Sequence, residues 1–382
     1  MKSERSQLNN GWEMVKFGDI AENIATRVKP SESESDIYVG LEHLDPETLH
    51  LKKWGQPSDV EGDKLRFWKG DIIFGRRRAY QRKLAIAEFD GICSAHAIVL
   101  RAKPKIIRPN FLPFFLKSDM FMERAIGISV GSLSPTINWK TLREEEFPLP
   151  PLDEQKHIAE ILWAADETVE RYEDAKVNTI KSMNAVFRNL VQNGKPRKMK
   201  IRELGAVITG STPSTKNSAF YSSNDFMFIS PADIDGDKYV CKTKKMVSSE
   251  GYSVGRSVPK GTIMVVCIGS TTGKVAITSE ECITNQQINS LICDEHADPE
   301  FIYHLFKGME KLFWSKASCT AVPILNKTQF SNIYVDIPDI EMQRAIVNTV
   351  RYFERAEIAM SGYLDEIRAL VKNLLKKYVD NF

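Results

Sequence analysis

The chain has 382 residues, room for two or three domains that each bury a core. Its charge is nearly balanced at +2, so any binding of nucleic acid must come from local patches and not from a global field. No apolar run is long enough to cross a membrane and the first ten residues are polar, unlike a signal peptide, so a cytoplasmic location is expected.

In chain order, the segment from Gly11-Trp12-Glu13 to Lys16-Phe17-Gly18-Asp19-Ile20 makes a short apolar approach to a globular block. A strand is predicted at 37–41, a turn feeding a buried strand at 69–74, and further strands at 84–88 and 97–100. An apolar helical segment begins near Phe111, and Asn138 stands ahead of a long helix. The same series then returns. Met199-Lys200-Ile201-Arg202-Glu203-Leu204 opens a second block, with strands predicted at 226–229, 260–265, 274–278 and 288–292, a helix near Phe301, and Asn326 in the place of Asn138.

Each block leads into a proline- and carboxylate-rich helix start. The first reads Phe147-Pro148-Leu149-Pro150-Pro151-Leu152-Asp153-Glu154-Gln155 and the second Val335-Asp336-Ile337-Pro338-Asp339-Ile340-Glu341-Met342-Gln343, at a constant offset of 188. Proline cannot extend a helix backwards, and the acids suit the positive end of its dipole. A heptad seam follows in both copies, from Ile158 to Leu190 and from Ile346 to Tyr378. A seam this long predicts a coiled coil in which the two helices bury each other. Its polar interruptions are Lys176 and Thr179 in the first copy and Glu357 in the second. Antiparallel pairing sets Glu357 in a layer with Thr179 and one step from Lys176. Parallel pairing would leave the Lys176 ammonium beside Leu364, a costly burial. Between the copies, Asn193-Gly194-Lys195-Pro196-Arg197-Lys198 reads as a linker, with glycine placed for a helix C-cap and proline forbidding continuation. A period near 190 residues is a domain duplication, which gives one chain the approximate two-fold symmetry of a homodimer.

This order of block, helix, block, helix resembles the specificity subunit of type I restriction–modification systems. The likeness is carried by the Gly11-Trp12-Glu13 opening with Lys16 to Ile20, by Pro148-Leu149-Pro150-Pro151-Leu152 with Glu154-Gln155, and by the Pro338 to Gln343 copy. The second copy departs in having Met342 for Glu154 and in lacking the Gly-Trp opening. The resemblance implies a mixed α/β (α+β) fold: two globular target recognition domains joined by two long antiparallel helices in a coiled coil, a pseudo-two-fold repeat. Target recognition domain 1 would span 1–147, spacer helix 1 148–192, the linker 193–198, target recognition domain 2 199–334 and spacer helix 2 335–382. It further implies a non-catalytic subunit that reads double-stranded DNA with a bipartite site, docks two modification (methyltransferase) subunits, and is joined by motor-nuclease subunits for restriction. No cofactor is expected in this chain; S-adenosylmethionine, ATP and Mg2+ belong on the partner subunits.

Catalytic signatures are missing from the sequence. There is no Asn-Pro-Pro-aromatic or Asp-Pro-Pro-aromatic tetrapeptide, no Gly-x-Ser-x-Gly and no His-Glu-x-x-His. Gly269-Ser270-Thr271-Thr272-Gly273-Lys274 is one residue short of a P-loop and is followed by Val275. The cysteines Cys93, Cys241, Cys267, Cys282, Cys293 and Cys319 form no CxxC pair and read as buried thiols in a reducing compartment. Cys93 and His96 have a zinc-like separation but no second pair, so no metal is expected.

The strongest positive signal is a basic loop. Arg76, Arg77, Arg78, Arg82 and Lys83 with Tyr80 put five cations and an aromatic into eight positions as the chain leaves a strand. Arginine neutralises phosphate or pairs bidentately with guanine, so such a loop can position and read DNA; the bland reading is a solvated turn. Arg101, Lys103, Lys105 and Arg108 are a weaker basic stretch, a solvated connection or a phosphate rail. The second block has Ser270, Thr271, Thr272 and Lys274 at the corresponding place, where small residues would admit a close backbone approach; a plain glycine-rich hairpin is the alternative. Thr284-Asn285-Gln286-Gln287 could read adenine through amides, and Cys93, Ser94, Ala95 and His96 occupy the matching place; a hydrogen-bonded turn is the simpler role for both. Two other function classes stay open on the sequence: a coiled-coil scaffold whose blocks bind protein or small ligands, and an enzyme with an unfamiliar site. Salt-sensitive binding to a split DNA site separates the first reading from these.

Overall fold

The computed structural model describes residues 11–317 and 322–380; the polar first ten residues and Cys319 lie outside them. Two compact units emerge, Met1–Glu173 with Gly362–Phe382, and Asp174–Ser361. Each unit holds one globular block and part of both long helices, a division that the sequence order does not suggest.

In the first unit, two four-stranded sheets lie in layers. One runs Ala21–Asn23, Ala97–Ala102, Ile72–Gly75, Leu84–Ile86; the other runs Arg27–Val28, Lys64–Phe67, Gly91–Cys93, Tyr38–Val39, its last pair parallel. The strand Ile72–Gly75 reads as a solid apolar run because both faces are covered. Its alternate side chains enter different cores. Ile72 and Phe74 pack with Phe114, Phe115, Phe121 and the helix residues Ile158 and Leu162, whereas Ile73 packs with Val39, Phe67 and Val99. The second unit repeats this arrangement with a five-stranded and a four-stranded sheet. Ile263 and Val265 face a core with Phe301, Phe306 and Phe330, and Met264 and Val266 face the other with Met227 and Ile229.

The long helices span Leu152–Asn193 and Ile340–Leu375, the second followed by a π-helical turn at Lys376–Asp380. Within the second unit they run in opposite directions. Lys176 Nζ is 4.0 Å from Glu357 Oε1 and Thr179 Oγ1 is 3.9 Å from Met360 Sδ. Eighteen residues along the first helix and its cap, a Cβ added to Gly194 would meet Met342 Cγ at 3.0 Å and Pro338 Cβ at 3.2 Å. Gly194 thus suits a tight approach that a side chain would crowd; the left-handed turn residue is Lys195, with φ of 48°. Nor do Arg197 and Lys198 remain a linker. They start a strand, Arg197–Lys200, paired antiparallel with Tyr334–Ile337, just as Glu13–Lys16 pairs with Glu146–Leu149. The proline-rich lead into each helix is therefore half of a ribbon that ties the two ends of its block together. Pro148 is tolerated because a two-stranded ribbon has open edges.

Cys93, Cys267 and Cys282 are buried, but Cys241 is exposed, in the loop just past the short strand Tyr239–Val240. Burial pushes the Cys267, Cys282 and Cys293 thiols up to about 12. Among the described residues no helix is long and apolar enough to cross a membrane, and no group of His, Cys, Asp and Glu could hold a metal ion.

The recurring glutamine locks block to helix. Gln155 is 1% exposed; its Oε1 accepts from the Arg108 backbone N–H at 2.8 Å, and its Nε2 donates to the carbonyls of Ile106 at 3.1 Å and Pro150 at 2.9 Å. Gln343 is fully buried and repeats the pattern with the N–H of Asp298 and the carbonyls of His296 and Pro338. Replacing Gln155 by Leu keeps the volume but strands these backbone groups, at about 1–3 kcal/mol for a buried unsatisfied group. Urea unfolding should show a loss of that size, while Lys156→Ala on the exposed face stays within about 0.5 kcal/mol. Equal stability of Gln155→Leu and the parent would contradict the assignment.

Candidate nucleic-acid interface

The arginine loop hangs between the strands Ile72–Gly75 and Leu84–Ile86. Arg76 is half-buried and donates from Nη2 to the Ala95 carbonyl at 3.1 Å. Arg77 and Arg78 are exposed; Arg77 Nη1 lies 3.4 Å from His96 Nε2, and Arg78 Nε 3.4 Å from Ser134 Oγ. Tyr80 is 54% exposed. Arg82 is paired with Asp119 at 2.5 Å, and Lys83 Nζ donates to the Leu41 carbonyl at 2.8 Å. The outward-facing part of the loop is thus Arg77, Arg78 and Tyr80. His96 is pushed below 6.5 by its burial and then by the charges of Arg77 and Arg76, so it is neutral at pH 7.

The backbone of this loop is unusual. Arg78 and Arg82 both adopt left-handed conformations, with φ of 56° and 52°. In the second unit the same turn carries Gly269 and Gly273, with φ of 103° and 101°. The correspondence is structural. Arg78 N–H donates to Pro135 O and Ile137 N–H to Arg76 O, while Gly269 N–H donates to Pro323 O and Leu325 N–H to Cys267 O. Left-handed backbone costs a residue with a side chain roughly 1–2 kcal/mol that glycine avoids. The first block bears that strain at two arginines.

The second loop is quieter. Ser270 is exposed and Thr271 partly so, but Thr272 is buried with its hydroxyl donating to Gly269 O at 2.8 Å. Lys274 Nζ reaches the Ile234 carbonyl at 3.3 Å, as Lys83 reaches Leu41. Both lysines brace their block. Beside this loop, Asn285 caps a turn through its Oδ1 to Gln287 N–H, as Ser94 does for His96. Gln286 is exposed and bonds to Thr212, which also accepts from Asn285 Nδ2 at 3.3 Å. Arg256 is exposed nearby and tied to Thr209 O and Ser211. Thr284 is fully buried in a strand and cannot reach a ligand, and so is Cys93 in the first block. In the weaker basic stretch, Arg101 is bidentate to buried Asp71 at 2.7 and 2.9 Å, Lys103 donates to Gly18 O, Arg108 binds Leu152 O, and Lys105 is exposed.

Sequence reasoning missed one pair of contacts. In the first unit His50 Nε2 meets Asp166 Oδ2 of the long helix at 2.9 Å and its Nδ1 meets Glu88 at 2.6 Å. In the second, Lys238 Nζ meets Glu354 of the other helix at 2.9 Å and Glu300 at 2.6 Å. The block-to-helix pair recurs at the offset of 188, His50 with Asp166 and Lys238 with Glu354, a signal hidden because histidine became lysine and aspartate became glutamate; Glu88 and Glu300 do not share the offset. Burial alone would raise the Glu300 carboxyl, but bonds from Arg351 and Lys238 outweigh it and hold it at about 2. The bond to Asp166 raises His50 to about 9 against opposing burial, with Glu88 adding to it. Because the folded value exceeds the unfolded one, this stabilisation is complete below about pH 6.5 and is lost as pH rises through about 9. The stability difference between the parent and His50→Asn should therefore shrink between those limits in urea unfolding. A difference independent of pH, or a His50 titration near its ordinary value by NMR, would contradict it.

The type I restriction modification DNA specificity domain matches twice, at residues 9–182 and 195–368, together covering most of the chain. The HindI specificity subunit of Haemophilus influenzae is 23% identical, aligned over 87% of this chain and 90% of its own length. The EcoDI specificity subunit of Escherichia coli is 32% identical over 46% of this chain and 41% of its own. Among solved structures, a chain from a study of complex assembly and conformational transition of the type I R-M system superposes with a TM-score of 0.63 at 19% identity, over 98% of this chain and 99% of that one. The S subunit of a type I system from M. genitalium gives 0.57 at 16% identity, over 99% and 98%. At these identities the structures testify to the fold alone. With two copies of the family's domain in tandem, each built on two layered sheets and bonded to its helix start by the equivalent glutamine, the chain belongs to the type I restriction–modification DNA specificity family.

Proposed function

We propose that this chain is the non-catalytic, cytoplasmic DNA-recognition subunit of a type I restriction–modification complex, reading a bipartite duplex site with one block per half. The observation that carries the reading is the arginine loop: two cations are held on strained backbone where the equivalent turn uses glycine. Strain of this kind persists where the surroundings enforce it, and it clusters at functional sites. Arg77 and Arg78, with Tyr80, are the contacts of the first block; Arg82 and Lys83 hold the loop in shape. Ser270, Thr271, Gln286 and Arg256 form the corresponding face of the second block, with Thr272 and Lys274 as its supports. A shared frame with differing loops is what two different half-sites require.

The long helices are, in this reading, an antiparallel coiled coil whose register is fixed where Lys176, Thr179 and Glu357 meet, since polar seam residues specify alignment. The helices space the two blocks and dock two modification subunits, which carry S-adenosylmethionine; motor-nuclease subunits bring ATP and Mg2+. The names of the relatives and the assembly studied for the 0.63 neighbour support this placement.

Arg77→Ala and Arg78→Ala, assayed in the full chain with its modification partners on the methylated target, should each lose about 1–3 kcal/mol if they contact bases, or flatten the salt dependence by about one unit if they contact phosphate. Arg78→Gly adds a sharper expectation. It relieves the left-handed strain, so stability should hold or rise by up to about 1 kcal/mol while DNA affinity falls. Undiminished affinity with an unchanged salt slope in all three variants would overturn the proposal.

A further inference from the structure

The arginine loop does not stand alone. A small hairpin closes beside it through the antiparallel pair Val130 and Thr136, with both backbone bonds made, at 3.0 and 2.9 Å. Gly131, at φ of 117°, turns the chain, and residues 131–135 form the tip. Thr136 also pairs with Arg77, Pro135 O accepts from Arg78 N–H at 2.7 Å, and Ser134 Oγ lies within reach of Arg78 Nε. Two apolar side chains of this braced hairpin are exposed, Leu133 at the tip and Val130 at the closing pair. Leu133 is 90% exposed and Val130 76%, the most exposed large hydrophobics among the described residues.

Single exposed hydrophobics are common on protein surfaces and call for no explanation. This pair differs because its backbone is bonded to the arginines at several points, so it cannot fold back onto the core. Apolar side chains on a hairpin bonded to the loop of Arg77 and Arg78 match a surface that is anionic around a small apolar feature. In the major groove of DNA that feature is the thymine methyl group, presented beside the acceptors that arginine reads. We propose that Val130 and Leu133 form an apolar probe that contacts the 5-methyl group of a thymine in the half-site read by the arginine loop. The inference rests on the DNA-reading role proposed above and adds a base identity to it.

Uracil lacks only that methyl, so it isolates the contact. With the half-site of the first block defined by mapping methylated adenines, duplexes carrying uracil for each of its thymines in turn are titrated with the full chain and its modification partners. At one position uracil should weaken binding about fourfold, the worth of one buried methyl group. The double variant Val130→Ala, Leu133→Ala should lose affinity for the thymine duplex by at least that factor and bind both duplexes alike. Leu133→Met, which keeps an apolar tip, should retain the preference. Site-specific binding that ignores every uracil, or a double variant that still discriminates as the parent does, overturns the inference and leaves the DNA-reading role intact. If the complex shows no preference for its mapped site over unrelated duplex, the DNA-reading role falls, and this inference with it.

Discussion

Two buried amides hold this molecule to its plan. Gln155 and Gln343 each satisfy three backbone groups where a block meets its helix, and each is almost wholly removed from water. Glutamine has the reach and the two-sided chemistry for this task. Its carbonyl takes the N–H of an incoming loop while its amide donates to that loop and to the carbonyl just ahead of the helix. An apolar residue would leave the groups unpaired, and a carboxylate could not donate to the carbonyls unless protonated. The ribbon ahead of each helix depends on the same point, since Pro150 and Pro338 are both glutamine partners and the next residues of their strands. Within each unit the block is thereby tied to the first turn of its helix by three hydrogen bonds.

On this fixed frame the two blocks diverge where it costs the fold little. The order of the central strands, the core alternation and the bonds Arg78 to Pro135 and Gly269 to Pro323 are shared, while the edge strands differ. The side chains presented are not. Guanidinium groups and an apolar tip mark the first block, and amides, hydroxyls and one arginine mark the second. Left-handed arginines are the clearest sign that the first loop was shaped by something other than stability, because the second block shows the unstrained solution to the same turn. The ionic contacts to the helices diverge too: His50 with Asp166 gives the first block a stabilisation that is lost as pH rises through about 9, whereas the second block makes its contact with Lys238, Glu354 and Glu300.

Much of this was legible in the sequence because duplication lets one copy check the other. The constant spacing of Pro150 to Pro338 and Gln155 to Gln343 located the helix starts, and the paired apolar runs located the strands Ile72–Gly75 and Ile263–Val266. The ribbon strands were not legible, since Phe147-Pro148-Leu149 lacks the alternation and the residue types of a strand, and Arg197-Lys198 looks like a solvated linker. Composition also overstated the arginine loop. Charge density cannot tell that Arg82 turns to Asp119 or that Lys83 and Lys274 turn inward to carbonyls; only the fold supplies those partners. Leu133 and Val130 were not legible for the opposite reason, since nothing in the type or spacing of two apolar residues in a short segment tells an exposed hairpin from a core.

The central claim is that one chain carries two independent readers on a common frame. It is tested most directly by exchanging the globular part of the first block, between its ribbon strands, for that of a relative with a different target, and mapping the methylated sequence in cells that also make the modification subunits. The account predicts that one half of the bipartite site changes while the other half is kept. An active hybrid in which both halves change, or in which neither does, would contradict it.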